Sequence, residues 1–234
     1  MPHYIINSCK FFAHNGVSLE TLNMSTLVLI ISYAKRLCNI HIPETRHTMN
    51  YLKNFYGHLS TILHHKNLVR HYCFKAGLYK QGIMHDWSKY NPIEFFAGVK
   101  YYQGGKRSPN FAEKEDKKYS SAWLHHKGRN KHHFEYWIDF AINPRDGLVG
   151  MPMPTRYVLE MFCDRISASK NYNRDTYNDS FPLAYYNKNK DYYVMHPDTR
   201  ELLEKLLTML ADEGEEATFK YIRENIDWKK SNKY

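Results

Sequence analysis

No CxxC pair occurs in this chain, and its four cysteines, Cys9, Cys38, Cys73 and Cys163, are widely scattered. That argues against a thiolate zinc site and leaves reduced, partly buried thiols of a cytosolic protein as the expectation. Long apolar runs are missing too. The longest, "MSTLVLIISYA" at residues 24–34, is too short to span a bilayer. It is also a poor signal-peptide core, because Lys10 is the only basic residue near the start apart from histidines and no small-residue cleavage pattern follows. A cytoplasmic protein without a membrane partner is expected. Internal repeats, strand-like alternation and heptads are all absent. Acid is in short supply: 24 Asp and Glu face 33 Lys and Arg, a formal net charge of +9. Such a balance favours anionic partners, whether nucleotides, nucleic acid or phosphorylated metabolites, without naming one.

What is present is apolar and aromatic. Hydrophobic residues make up 43% and aromatics 15%, including 20 tyrosines, which suits a globular chain of one large domain or one domain plus an extension. Residues 1–48 mix polar coil with the one apolar run and read as an N-terminal extension, poorly ordered or loosely packed. Met49 opens "MNYLKNFYGHL", a natural helix start, and the main domain is expected over 49–234.

From residue 50 the pattern is helical. Leu52, Phe55, Leu59, Ile62, Leu63, Leu68, Val69, Tyr72, Cys73 and Ala76 recur at roughly a 3.6-residue period, with Gly77 as a stop. In "NPIEFFAGVKYY", Asn91 suits an N-cap, Pro92 the first helical position and Glu94 the capping-box position. Helices are also expected over 111–127, 131–142 and 155–170, with one or two over 197–227 broken at Gly214. The Asn- and Tyr-rich stretch 171–195 reads as an irregular connection. The predicted class is all-α.

Charge is uneven. Residues 197–227 hold nine acidic and four basic side chains, whereas residues 100–133 hold nine basic and three acidic. The basic stretch coincides with the histidines. Nine of the 14 lie between 58 and 133: His58, His64, His65, His71, His85, His125, His126, His132 and His133. Neutral imidazole is the commonest protein ligand for transition metals, and carboxylates complete many such sites. "GIMHDWSKY", residues 82–90, sets His85 beside Asp86 just before a helix start. "LHHKGRNKHHFEYW" places two His-His pairs seven residues apart around a Gly-containing turn, so both pairs can face one cavity. A further acid is needed from another helix, and Asp164 in "MFCDRIS" is the best candidate. It sits among Met161, Phe162, Cys163 and Ile166, where an unpaired carboxylate would cost several kcal/mol. Arg165 is adjacent but points about 100° away around the helix.

A His, then His-Asp, then further His, then a distal Asp, all on helices, resembles the HD superfamily of all-helical, metal-dependent phosphohydrolases. "HHKNLV" resembles the helix that carries that family's first His, "IMHDWSKY" its His-Asp signature with a Lys three residues on, and "CDRISA" its last motif. The run from about 50 to 225 also resembles a family of small bacterial and phage proteins of unassigned function. The resemblance implies an HD-domain-like helical bundle. It implies a first metal held by His65, His85, Asp86 and Asp164, with His58 as a rival first ligand and His71 a weaker one. His126 and His133 would serve a second metal, with His125 and His132 as alternates. The cofactor implied is one or two divalent ions: Mn, Mg, Ni, Co or Fe.

Such an ion lowers the pKa of bound water toward neutrality. Asp86 would bridge the metals or accept the water's proton. Lys89, Arg129, Lys131 and Arg165 are the expected phosphate contacts, Lys89 first because the family places a Lys there. Asp86 and Lys89 are thus the expected catalytic pair. Asn130 is either a turn residue or a polar contact. Of the interleaved aromatics Trp87, Tyr90, Tyr101, Tyr102, Trp123, Tyr136 and Trp137, most should be core, while one or two could stack a base. The expected activity is a metal-dependent phosphohydrolase acting on a nucleotide or related phosphate ester. Two alternatives stand beside it: a di-iron oxygenase of the same superfamily and a non-catalytic nucleic-acid-binding module.

Overall fold

A computed structural model describes residues 46–229. Residues 1–45, most of the expected N-terminal extension and all of the apolar run, lie outside them, as do Cys9 and Cys38. The described chain is all-α. Eight helices run in the order α1 (Arg46–Lys75), α2 (Tyr79–Met84), α3 (Pro92–Lys100), α4 (Pro109–Lys117), α5 (Ser121–Lys127), α6 (Thr155–Asn173), α7 (Phe181–Asn189) and α8 (Pro197–Asn225), with several single 3-10 turns between them. Among the described residues, no helix is long and apolar enough to cross a membrane.

The core forms where α1, α6, α7 and α8 meet. Val69, Tyr72, Cys73 and Ala76 of α1 pack with Leu159, Phe162, Cys163 and Ile166 of α6, Tyr186 of α7, and Leu203, Leu206, Leu207, Leu210, Phe219 and Ile222 of α8. All are buried. The polar residues that matter sit on these same helices. On α1, buried His65 occupies the stripe that runs Ile62, Val69, Tyr72, Ala76. On α6, Glu160, Asp164, Ser167 and Asn171 follow one another at spacings of four and three, so they line up along one face of the helix.

Several local expectations are corrected. The segment 111–127 is two helices, because the chain turns at Lys118 in a left-handed conformation (φ 69°). Ser120 then caps α5, its hydroxyl accepting from the Trp123 amide at 2.9 Å. The helix expected over 131–142 is a 3-10 turn at Phe134–Trp137 followed by a short antiparallel hairpin, β1 (Ile138–Phe140) with β2 (Leu148–Gly150), paired Ile138 to Gly150 and Phe140 to Leu148. Its strands are three residues each, too short for alternation to show in the sequence. The connection 171–195 contains α7. The break at Gly214 is present, as a φ of 81° inside α8 that a side chain would resist.

Candidate metal centre

Four elements deliver the site. His65 comes from the middle of α1. His85 and Asp86 follow the end of α2, where Asp86 takes a left-handed backbone (φ 52°, ψ 30°) before the 3-10 turn Trp87–Tyr90. This conformation is uncommon outside glycine and places the carboxylate inward. His126 closes α5, and His132 and His133 lie in the turn after it. Asp164 and Glu160 come from α6.

Asp86 is the hub, and it is 1% exposed. Its Oδ2 lies 3.2 Å from His85 Nε2, 3.7 Å from His65 Nε2 and 2.6 Å from Lys89 Nζ. Its Oδ1 lies 3.3 Å from His126 Nε2 and 3.4 Å from His132 Nε2. Asp164 Oδ1 approaches the first side only, at 3.0 Å from His65 Nε2 and 3.5 Å from His85 Nε2. Three potential ligand groups result among the described residues: His65–His85–Asp86–Asp164 and Asp86–His126–His132–His133, which share Asp86, and the smaller His85–His132–Glu160 behind them.

Two buried glutamates fix the imidazoles from behind. Glu160 Oε1 is 2.9 Å from His85 Nδ1 and 3.2 Å from His132 Nδ1. Glu94 reaches His125 Nδ1 at 2.6 Å with one oxygen and His126 Nδ1 at 2.7 Å with the other. A carboxylate at Nδ1 holds the proton there and leaves the Nε2 lone pair facing inward, the arrangement that orients metal-bound histidines. So His85, His126 and His132 share one design: Nδ1 on a glutamate, Nε2 toward Asp86. Asn130 buttresses the same wall. Its amide donates to the Ser88 hydroxyl (2.7 Å) and to the His126 carbonyl (2.7 Å).

This donor set fits a cation. His85 Nε2, Asp86 Oδ1, His132 Nε2 and His133 Nε2 are all buried without a hydrogen-bond partner. Orphaned acceptors at such a density are costly unless positive charge joins them. Imidazole and carboxylate together suit a first-row transition metal. Against burial, Asp86, Asp164 and Glu160 raise the His85 pKa well above its ordinary value, so an ion taken up there would displace a proton. Burial alone would raise the Asp86 pKa, but the neighbouring charges of His85, Lys89 and His126 outweigh it and hold the carboxyl well below its ordinary range. Asp164 is likewise held down, against burial, by its bonds to His65 and His85. Burial, then His132 and His126, push His133 well below the ordinary imidazole value, so it is a neutral donor.

The remaining candidates lie elsewhere. His58 is buried against α3, between the rings of Phe95 and Tyr102, and joins none of these groups. His64 and His71 are exposed. His125 turns to Glu94. Among the four expected phosphate contacts, Lys89 touches the centre. Arg129 is exposed and reaches the His125 carbonyl at 3.4 Å. Lys131 lies over the rings of Tyr136 and Tyr157. Arg165 sits between Tyr186 and Tyr193, 5.6 and 5.5 Å from their centroids. Sequence reasoning gave Glu94 only a capping role and did not single out Glu160. The latter had a signal, since it lies one helical turn before Asp164 on the same face.

A family model described as "Family of unknown function (DUF5662)" matches residues 54–209, which include every ligand candidate of the centre. The chain belongs to that family. No curated protein and no solved structure matches it.

Proposed function

We propose that this member of the DUF5662 family is a metal-dependent phosphohydrolase acting on a nucleotide or a related phosphate ester. The observation that carries the proposal is Asp86, a buried carboxylate whose two oxygens each face a separate set of imidazoles. Such a carboxylate could serve two ions at once, one held by each set of imidazoles. When bound, such ions supply a water acidified toward neutral pH and a Lewis acid for phosphate oxygens. The chain's own contributions follow from the geometry. Asp86 ties the two ligand groups together. Glu94 and Glu160 keep the imidazole lone pairs aimed inward. Lys89, 29% exposed at its side chain, brings a positive charge from the rim to Asp86 Oδ2. Burial opposes that charge, but Asp86 and Asp164 outweigh it and keep the ammonium protonated. Lys89 would neutralise a phosphate oxygen arriving at the centre. The resemblance of the His-Asp, distal Asp and Lys89 motifs to HD phosphohydrolases points the same way, although a fold does not fix a function.

The histidine-rich donor set also suits iron, which keeps an oxygenase as the second reading. Phosphate release from a panel of nucleotides and sugar phosphates, assayed with Mn, Mg, Ni, Co and Fe, separates the two. Phosphate release with a redox-inert ion supports the hydrolase. Oxygen consumption that requires iron, without phosphate release, overturns it. Full function in the double variant His85→Ala, Asp86→Ala would dismiss both enzyme readings and favour a binding module.

A further inference from the structure

Each of three residues beside the centre follows a residue of that centre in sequence: Lys66 after His65, Trp87 after Asp86, and Tyr90 after Lys89. In space they form one cluster. Lys66 Nζ lies 5.1 Å from the Trp87 ring centroid and 5.1 Å from that of Tyr90. The two rings meet edge to face at 5.8 Å. Lys66 is half-buried. Among the described residues, no carboxylate oxygen lies within ion-pair distance of Lys66, because Asp86 is taken by Lys89 and the imidazoles. Trp87 is 63% exposed, an unusual amount for the largest apolar side chain.

A fold built for stability alone would not gather these groups. Two lysines, Lys66 beside Trp87 and Tyr90 and Lys89 on Asp86, bring like charge to one side of the centre, which costs energy. An exposed indole stands next to the hub carboxylate. An anion offsets the first cost, and a flat apolar ligand covers the second. Phosphate joined to an aromatic base is one molecule that does both.

We propose that Lys66, Trp87 and Tyr90 form the specificity subsite of the centre, with Trp87 stacking the base of a nucleoside phosphate and Lys66 binding its phosphate. This rests on the phosphohydrolase reading above and narrows it from phosphate esters in general to those carrying an aromatic base. The indole supplies a π-face that any base can use, so the subsite separates nucleotides from sugar phosphates more than one base from another. Lys66 binds one face of the indole by a cation–π contact and keeps the ring upright, so it serves as phosphate ligand and as support.

The test uses a matched pair of probes, AMP and ribose 5-phosphate, which differ by the base alone. Binding of each to the metal-loaded full-length protein is measured by calorimetry, alongside phosphate release from each. Wild type should bind AMP about tenfold or more tighter than ribose 5-phosphate, the worth of one stacked base. Trp87→Ala and, as a variant that keeps apolar cover, Trp87→Leu should bring that ratio toward one. Trp87→Phe should retain part of it. Lys66→Gln should weaken both probes together. Circular dichroism and metal content confirm that each variant is folded and loaded. Equal affinity of wild type for the two probes, or a ratio that persists in both Trp87→Ala and Trp87→Leu, overturns the subsite while leaving the hydrolase reading in place. Failure of wild type to bind or hydrolyse either probe in any metal form overturns both.

Discussion

Glu160 and Glu94 each hold two imidazoles, and their contribution can be measured apart from the ligands themselves. Glu160→Gln keeps the side chain's shape but removes the charge at His85 Nδ1 and His132 Nδ1. It should lower metal affinity by roughly 10–100-fold, the usual cost of losing an outer-shell partner, with the fold retained. Competition with a chromogenic chelator reads this out; an unchanged affinity would reduce Glu160 to packing. His58 gives a second residue-level prediction. Burial, then Lys89, lowers its pKa to about 4 from 6.5. The unfolded chain therefore binds more protons between these values. Stability is full above pH 6.5 and falls as pH drops toward 4, by up to about 3 kcal/mol. In chelator, His58→Gln should flatten this part of the stability-pH curve relative to wild type. The candidate donors could be picked out in the sequence because histidines are rare enough for nine in one stretch to mean something. Their sorting could not. His125 and His126 are neighbours in sequence, yet only His126 faces Asp86, and nothing short of the α3–α5 packing, which puts Glu94 between them, decides which.

At the scale of elements, helices carried by a 3.6-residue apolar period were readable, and those defined by turns were not. The α1 and α6 stripes are long and regular, so their existence and the class followed. The break at Lys118 was hidden, because a lysine in a left-handed turn carries no residue signal. That break matters. It frees Glu113 to accept from the Ser120 hydroxyl at 2.6 Å, the Ser121 hydroxyl at 2.7 Å and the Ala122 amide at 3.3 Å, which seals the start of α5. Burial would raise the Glu113 pKa, but these bonds and Lys117 hold it at about 2. Its stabilising effect is present above about pH 4.5 and is lost as pH falls toward 2. Glu113→Ala should cost about 1–2 kcal/mol in denaturant unfolding, as losing a helix cap does. It should also weaken metal binding, since α5 carries His126. The hairpin offers a steric prediction. A Cβ on Gly150 would lie 2.4 Å from the His196 amide nitrogen and 2.6 Å from the Met195 carbonyl carbon. Backbone cannot step aside as a side chain can, so Gly150→Ala should destabilise by about 1–3 kcal/mol.

For the whole molecule, the candidate ligands come from α1, the turn after α2, the α5 region and α6, so on the proposed reading bound ions would cross-link these elements. On that reading, metal binding would add to folding free energy. At a free ion concentration 1,000 times the Kd, the gain is about 4 kcal/mol. Chelation should lower the melting temperature by several degrees, with recovery on re-addition. The most direct test of the central claim, one carboxylate shared by two ligand groups, is metal stoichiometry across a variant set. Wild type should retain two ions per chain. His65→Ala or Asp164→Ala should lose one, as should His126→Ala or His132→Ala, and Asp86→Ala should lose both. Equal stoichiometry in wild type and Asp86→Ala, or no retained metal in wild type under any ion supplied, would contradict the account.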